Sequence, residues 1–161
     1  MQIGAWRSED REAVINLILD IQTREFGVAI TRADQPDLED VDGFYGSGGG
    51  GFWCARDDDR VIGTIALKDI GDGNGVLRKM FVAGDQRGSL HGVAQALLDH
   101  LVAHARAQGL TAILLGTTAA FLAAHRFYEK NGFGKINPLG LPSNFPRMAQ
   151  DDRFYLLRLD I

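Results

Sequence analysis

Tyr128 stands near the end of the run Ala123-Ala124-His125-Arg126-Phe127-Tyr128-Glu129-Lys130-Asn131-Gly132-Phe133, where a phenol could protonate a leaving group. A free tyrosine, with a pKa of about 10, stays protonated at neutral pH and can donate to a departing thiolate whose acid titrates at about 8.5. By spacing alone the residue also fits half-buried core with its hydroxyl at the surface. Upstream, Arg87-Gly88-Ser89-Leu90-His91-Gly92-Val93-Ala94 follows a strand and opens a helix. Unpaired backbone N–H groups and the helix dipole converge there, so main chain can hold an anion such as a pyrophosphate, and the glycines let it come close. An ordinary strand-to-helix loop can look the same. The lone cysteine, Cys54, lies in the apolar run Phe52-Trp53-Cys54-Ala55 and reads as a buried reduced thiol rather than a nucleophile.

These groups need a frame. A short strand around Ile3 to Trp6 precedes a helix capped by Ser8, with Glu9 and Asp10 in its first turn and Val14, Leu17, Ile18 and Ile21 at helical spacing. Thr31 to Gly51, rich in acids and then in glycine, reads as a loop that carries at most a short helix. Phe52 to Arg56 and Val61 to Ile70 form a hairpin around Asp57-Asp58-Asp59, with Val61, Ile65 and Leu67 expected on one face. A glycine turn then leads into Val76 to Val82. The next helix carries Val93, Leu97, Leu101 and Ala105 in one row and ends at Gly109; Ala112 to Leu115 reads as a buried parallel strand. Thr117 or Thr118 is expected to cap the last long helix, Asn131-Gly132 to stop it, Asn137 to Met148 to form an ordered loop, and Phe154 to Asp160 to close the sheet.

The segment Val76 to Phe133 resembles the conserved half of the GNAT superfamily of acyl-CoA-dependent N-acyltransferases, most closely in Phe127-Tyr128-Glu129-Lys130-Asn131-Gly132-Phe133. The resemblance implies an α/β (α+β) fold, a mixed and mainly antiparallel sheet of about six to seven strands with helices on both faces, and one domain over residues 1–161. It implies acetyl transfer from acetyl-CoA to an amine in a ternary complex, with Tyr128 as the acid for the departing thiolate. Phe81 and Val82 would supply main-chain contacts from a strand with a splayed end, Arg87, Gly88, Gly92, Val93 and Ala94 would hold the pyrophosphate, and Ala124 would let the pantetheine arm pass. Arg126 and Lys130 could meet cofactor phosphates.

The match has departures. The family pattern of a basic or amide residue, two residues, Gly, one residue, then Gly or Ala fits Gly92-Val93-Ala94, but puts Ser89 at its first position, so Arg87 becomes a displaced anion contact. Phe121 stands where the family commonly has asparagine, and the strand offers Arg78 and Lys79 where many members carry a glutamate base. The base is left open among Asp69, Glu39, Asp40, His125 and a water chain. In the resembling fold the loops Thr31 to Gly51 and Asn137 to Met148 line the acceptor pocket. Asp37 and Asp40 could there meet an ammonium group, and Tyr45 and Phe145, with Phe44 and Met148, could pack on its carbon skeleton. A solvated acidic loop is the alternative. A non-catalytic acyl-CoA-binding module and a nucleotide-binding domain are rival functions on the same fold.

Composition bounds the rest. With 161 residues, 45% of them hydrophobic and 24% charged, the chain fits one globular domain that needs neither disulfide nor metal. A net charge of −4 argues against a nucleic-acid binder and for small-molecule partners, cationic ones included. No membrane span or signal-peptide core is visible, so a cytoplasmic location is expected, with a homodimer as the default for so small an enzyme.

Overall fold

The computed structural model describes residues 1–88, 90–119 and 121–159. The strands are β1 (Gln2–Ala5), β2 (Gly51–Asp57), β3 (Arg60–Gly71), β4 (Asn74–Val82), β5 (Ala112–Thr117), β6 (Gly134–Ile136) and β7 (Arg153–Arg158). They form one sheet in the order β1-β2-β3-β4-β5-β7-β6, antiparallel except where β4 meets β5. Asp58 (φ 52°) turns the β2–β3 hairpin, and Gly71, Asp72 and Gly73 (φ 88°, 56° and 77°) turn β3 into β4, conformations that favour glycine and aspartate.

Both faces of this GNAT-like sheet are covered. Helix α1 (Arg11–Leu19) and the short α2 (Val41–Tyr45) bury Val14, Ile15, Ile18 and Tyr45 against Phe52, Cys54 and Ala66. On the other face α3 (Val93–Ala107) and α4 (Leu122–Lys130) bury Leu97, Leu101, Ala105 and Tyr128 against Ile65, Leu77 and Ile113. β5 is covered on both sides, hence its unbroken apolar run. Cys54 is fully buried and burial pushes its thiol up to about 12, so it is inert core. Among the described residues no helix is long and apolar enough to cross a membrane.

Several sequence expectations need correction. Ser8 caps nothing: Ser8–Asp10 is a 3-10 turn, and the Asp10 carboxylate receives the Arg7 backbone N–H at 3.1 Å. Phe121, not Thr117 or Thr118, occupies the cap position of α4, without a side-chain bond. Val61 leaves the face of Ile65 and Leu67 because a bulge opposite Ala55 and Arg56 reverses the alternation, placing Val61 with α1 and α2. The last strand completes the sheet by inserting between β5 and β6. Its expected end, Asp160, and the loop residue Ser89 lie outside the described residues.

Asp10 ties α1 to β2 through Arg56, the two side chains being 7% and 11% exposed. Burial alone would raise the Asp10 pKa, but hydrogen bonds from Arg56 and Arg7 hold it below the ordinary 3.8. Its stabilising contribution is therefore present above about pH 3.8 and is lost as pH falls through the depressed value. Asp10→Asn leaves Arg56 without its charge partner and is expected to cost about 1 to 3 kcal/mol in urea unfolding at pH 7, with the difference from wild type shrinking in acid.

Candidate active site

β4 and β5 pair in parallel only over Asn74↔Ala112, Gly75↔Ile113 and Val76↔Leu114. Beyond Val76 the two strands part, because β5 continues its ladder with β7 as far as Thr117 while β4 stays with β3. The gap is the mouth of a cavity of about 860 Å³ whose walls run along β4 from Val76 to Val82 and include the first turn of α3, the inner side of α4 and the loop before β7.

A bulge in β4 decides which side chains enter it. Arg78 pairs with Ala66 and Phe81 with Thr64, so Lys79 and Met80 together oppose Ile65. Lys79 takes φ 54°, unusual for a residue with a Cβ, and Thr64 Oγ1 donates to its carbonyl at 2.7 Å. Consequently Arg78 and Lys79, although consecutive, both reach partners on the α1/α2 side of the sheet. Met80 packs instead toward α3 and α4, and Phe81 returns to the α1/α2 side.

Met80 meets Tyr128 on the α4 wall, whose hydroxyl approaches the Met80 thioether at 3.6 Å. Tyr128 is 6% exposed, stacks among Phe127, Phe133 and Tyr155, and has its pKa raised by burial, which keeps the phenol protonated. Ala124, one turn earlier on the helix, lines the same wall, as does Lys130; Arg126 is exposed and does not.

At the other expected site residues, Phe81, Val82, Arg87, Gly88, Gly92 and Ala94 all line the cavity. Gly88 (φ 100°) and Gly92 (φ 68°) adopt conformations that a side chain would strain. Gly92 is the N-cap of α3, so the N–H groups of Val93, Ala94 and Gln95 lack intrahelical partners. The Val93 side chain is buried in the core at 2% exposure, leaving its backbone as its contribution here. Arg87 donates to the Val82 carbonyl at 2.9 Å and pairs through both terminal nitrogens with Glu25, so its charge is already engaged across the cleft. Phe121, at the position expected for asparagine, packs edge-on against Phe26 (4.7 Å) and Phe81 (6.4 Å), bridging α4 to the segment after α1. His91 is exposed.

The expected acceptor residues divide. Phe145 lines the cavity together with Met148. Asp37 and Tyr45 sit behind the wall, 4% and 1% exposed, with the Tyr45 hydroxyl donating to Asp37 at 2.5 Å. Asp40 faces away and caps α2 by accepting from Gly43 N at 3.2 Å. Lys79, which does line the cavity, donates to Gln35 Oε1 at 2.6 Å and lies 3.7 Å from Asp37; burial brings its pKa down to about 8 against the pull of Asp37. Gln35 is in turn hydrogen-bonded to Gln22 at 3.0 Å.

The four carboxylate and imidazole candidates for the base lie elsewhere. Asp69 holds Gly49 N and Gly71 N, Glu39 pairs with Arg32, Asp40 caps a helix, and His125 is wedged between the Thr118 carbonyl and Arg153, both at 2.9 Å. Two acids line the cavity: Asp99 on α3, which accepts from Gln95 Nε2 at 2.8 Å, and Asp151 in the loop before β7. Asp151 accepts the Met148 N–H at 2.9 Å and lies against Gly116, where a Cβ would come within 2.5 Å of its Oδ2. Burial holds its carboxyl above the ordinary range, opposed by the Met148 bond and by Arg78 and Arg147. Sequence reading passed it over, although its signal was available: an acid just before the last strand, three residues past the loop Asn137 to Met148 assigned to the acceptor side.

A model of the "Acetyltransferase (GNAT) family" matches residues 15–133. The chain is similar to the N-acetylaspartate synthetase of Danio rerio, 36% identical over 102 residues that make up 62% of this chain and 36% of the relative, so it spans about a third of that protein's length. Among solved structures, an acetyltransferase of GNAT family from Staphylococcus aureus Mu50 superposes with a TM-score of 0.95 at 36% identity, covering 99% of both chains. The N-acetylglutamate synthase of Neisseria gonorrhoeae, solved with coenzyme A and N-acetyl-glutamate, shares the fold at a TM-score of 0.76 and 17% identity, covering 99% of this chain and 35% of that one. With a family match over most of its length and a full-length structural relative, the chain belongs to the acetyltransferase (GNAT) family.

Proposed function

We propose that this chain is an N-acetyltransferase that moves an acetyl group from acetyl-CoA to a primary amine of a small molecule or peptide by direct attack. The observation that carries this reading is the cavity between the parted strands β4 and β5, with a helix start at one of its walls and the protonated Tyr128 at another. The family membership and the relatives named above support it.

In this mechanism Gly88, Gly92 and the N–H groups of Val93 and Ala94 receive the pyrophosphate at the positive end of α3, and Arg87 leaves Glu25 to join them. The parted edge of β4 at Phe81 and Val82 offers main-chain groups to the pantetheine amides, and Ala124 leaves room for the arm. Asp151 takes a proton from the acceptor's ammonium group. The free amine attacks the thioester carbon, the C–S bond breaks, the thiolate takes the Tyr128 proton, and the second amine proton restores the phenol. Each mole of product thus releases one mole of free thiol and one proton. On the same reading residues 1–161 form one catalytic domain that works in the cytoplasm.

Acetyl-CoA at a hundred times its Kd should stabilise the fold by about 2.7 kcal/mol and raise Tm accordingly, whereas ATP at equal concentration should leave Tm in place. Folded protein that no CoA thioester stabilises would remove this reading.

A further inference from the structure

We propose that the amine acceptor carries a carboxylate and that Arg78 is the residue that recognises it, an inference that rests on the acetyltransferase reading of the same cavity. Arg78 lines the cavity half-buried, and its guanidinium reaches three neutral groups: Tyr45 Oη from Nε at 3.1 Å, the Pro146 carbonyl from Nη1 at 3.3 Å, and the Met148 thioether from Nη2 at 3.7 Å. Among the described residues no carboxylate lies within ion-pair distance of it. Asp37, the acid of the adjoining network, is taken by Tyr45 and Lys79, and Asp151 is hydrogen-bonded to the Met148 N–H. A partly desolvated guanidinium whose five N–H donors meet one hydroxyl, one carbonyl and one thioether, and no anion, is under-satisfied. Its fork matches a carboxylate bidentately, and the Phe44 ring, 5.5 Å from Cζ, backs it.

The surroundings favour an anion over a second cation. The β4 bulge turns Lys79 to the same side of the sheet, where it pairs with Asp37, so the charge of that acid is met by Lys79 rather than by Arg78. None of the acids of the Thr31 to Gly51 loop lines the cavity: Asp34 closes the turn at Thr31, Asp37 is buried, Glu39 pairs with Arg32, Asp40 caps α2 and Asp42 is exposed on α2. Of the two acids on the cavity's lining, Asp99 lies on α3 and accepts from Gln95, whereas Asp151 comes from the loop whose Pro146 and Met148 meet Arg78. Arg78 and Asp151 on this side of the cavity fit an acceptor that bears a carboxylate and an ammonium group, the chemistry of an amino acid, rather than a polyamine.

The test measures thiol release by the wild-type enzyme with the twenty L-α-amino acids, β-alanine and 4-aminobutyrate, each beside its primary carboxamide. At least one carboxylate should exceed its amide in kcat/KM by about 10- to 100-fold, the range for a lost charge-assisted hydrogen-bond pair. Arg78→Gln should bring that ratio close to one by raising the acceptor KM while the acetyl-CoA KM holds, and Arg78→Lys should recover part of it. Because Arg78 also braces Tyr45 and Pro146, Tm is recorded for each variant, and the wild-type ratio decides alone if a variant does not fold. Turnover of amides or simple amines as fast as of the matching carboxylates overturns the inference and leaves the acetyltransferase standing. No acceptor-dependent thiol release with any carboxylate of the panel, from protein that binds acetyl-CoA, overturns the inference, and its absence with peptide and simple amines as well overturns the catalytic reading too.

Discussion

Tyr128→Phe is expected to lower kcat by about ten- to a thousand-fold while acetyl-CoA binding and Tm scarcely move. The separation follows from what the hydroxyl touches. Among the described residues its partner is the Met80 thioether at 3.6 Å, a weak acceptor, so removing the oxygen forfeits little stability, and the ring keeps its contacts with Phe127, Phe133 and Tyr155. A strong donor facing a weak acceptor in a dry wall is available to a thiolate formed in the cavity. Burial raises the phenol pKa above its ordinary 10, so the proton donor stays loaded and the activity should show no basic limb below about pH 10 from this group. Single-turnover kinetics with folded variant decides: equal rates of acetyl transfer in wild type and Tyr128→Phe, with chemistry limiting, would return this tyrosine to the core.

Local pattern carried much of the frame. The apolar rows of α3, its stop at Gly109 (φ 78°), the turn before β4 and the stop of α4 at Gly132 (φ 90°) depend on neighbouring residues, and each was legible in the chain. The Tyr128 string likewise put a phenol on a helix beside the strand that carries Met80. What sequence could not show was made by long-range pairing. Arg78 and Lys79 read as the absence of a glutamate, because nothing in Val76 to Val82 announces the bulge that puts both on one side of the sheet. That bulge is set by pairing with Thr64 and Ala66. Asp37 reads as an acid of a loop that meets an acceptor's ammonium group or else water, yet it is buried by partners from other elements, Tyr45 on α2 and Lys79 on β4. Caps failed for a similar reason. Ser8 and Thr118 have the right chemistry, but the chain enters α1 through an Asp10 held by Arg56, and the Thr118 carbonyl is engaged by His125.

Asp151→Asn should be the most damaging conservative change for chemistry and among the mildest for the fold. As the base it must be ionised before it can take the ammonium proton, so kcat/KM should rise with pH through its titration. That limb should lie above the ordinary carboxylate value of 3.8, because burial raises the Asp151 pKa against the opposing pull of the Met148 N–H, Arg78 and Arg147, with Asp152 reinforcing the rise. The stability effect has the opposite sense. A carboxyl with a raised folded pKa contributes stability that is fully present below the unfolded value and is lost as pH rises through the folded one, so at pH 7 the native protein bears the cost of a desolvated carboxylate. Asparagine keeps an oxygen for the Met148 N–H and carries no charge. Asp151→Asn should therefore match or exceed wild type in Tm at pH 7 while losing about 100- to 10,000-fold in kcat/KM and the acidic limb with it. A purely structural carboxylate would show the reverse, a lowered Tm with activity retained per folded molecule. A water chain acting as base without Asp151 would keep the limb in the variant's pH profile, and either result would require another proton acceptor on the wall between β4 and β5.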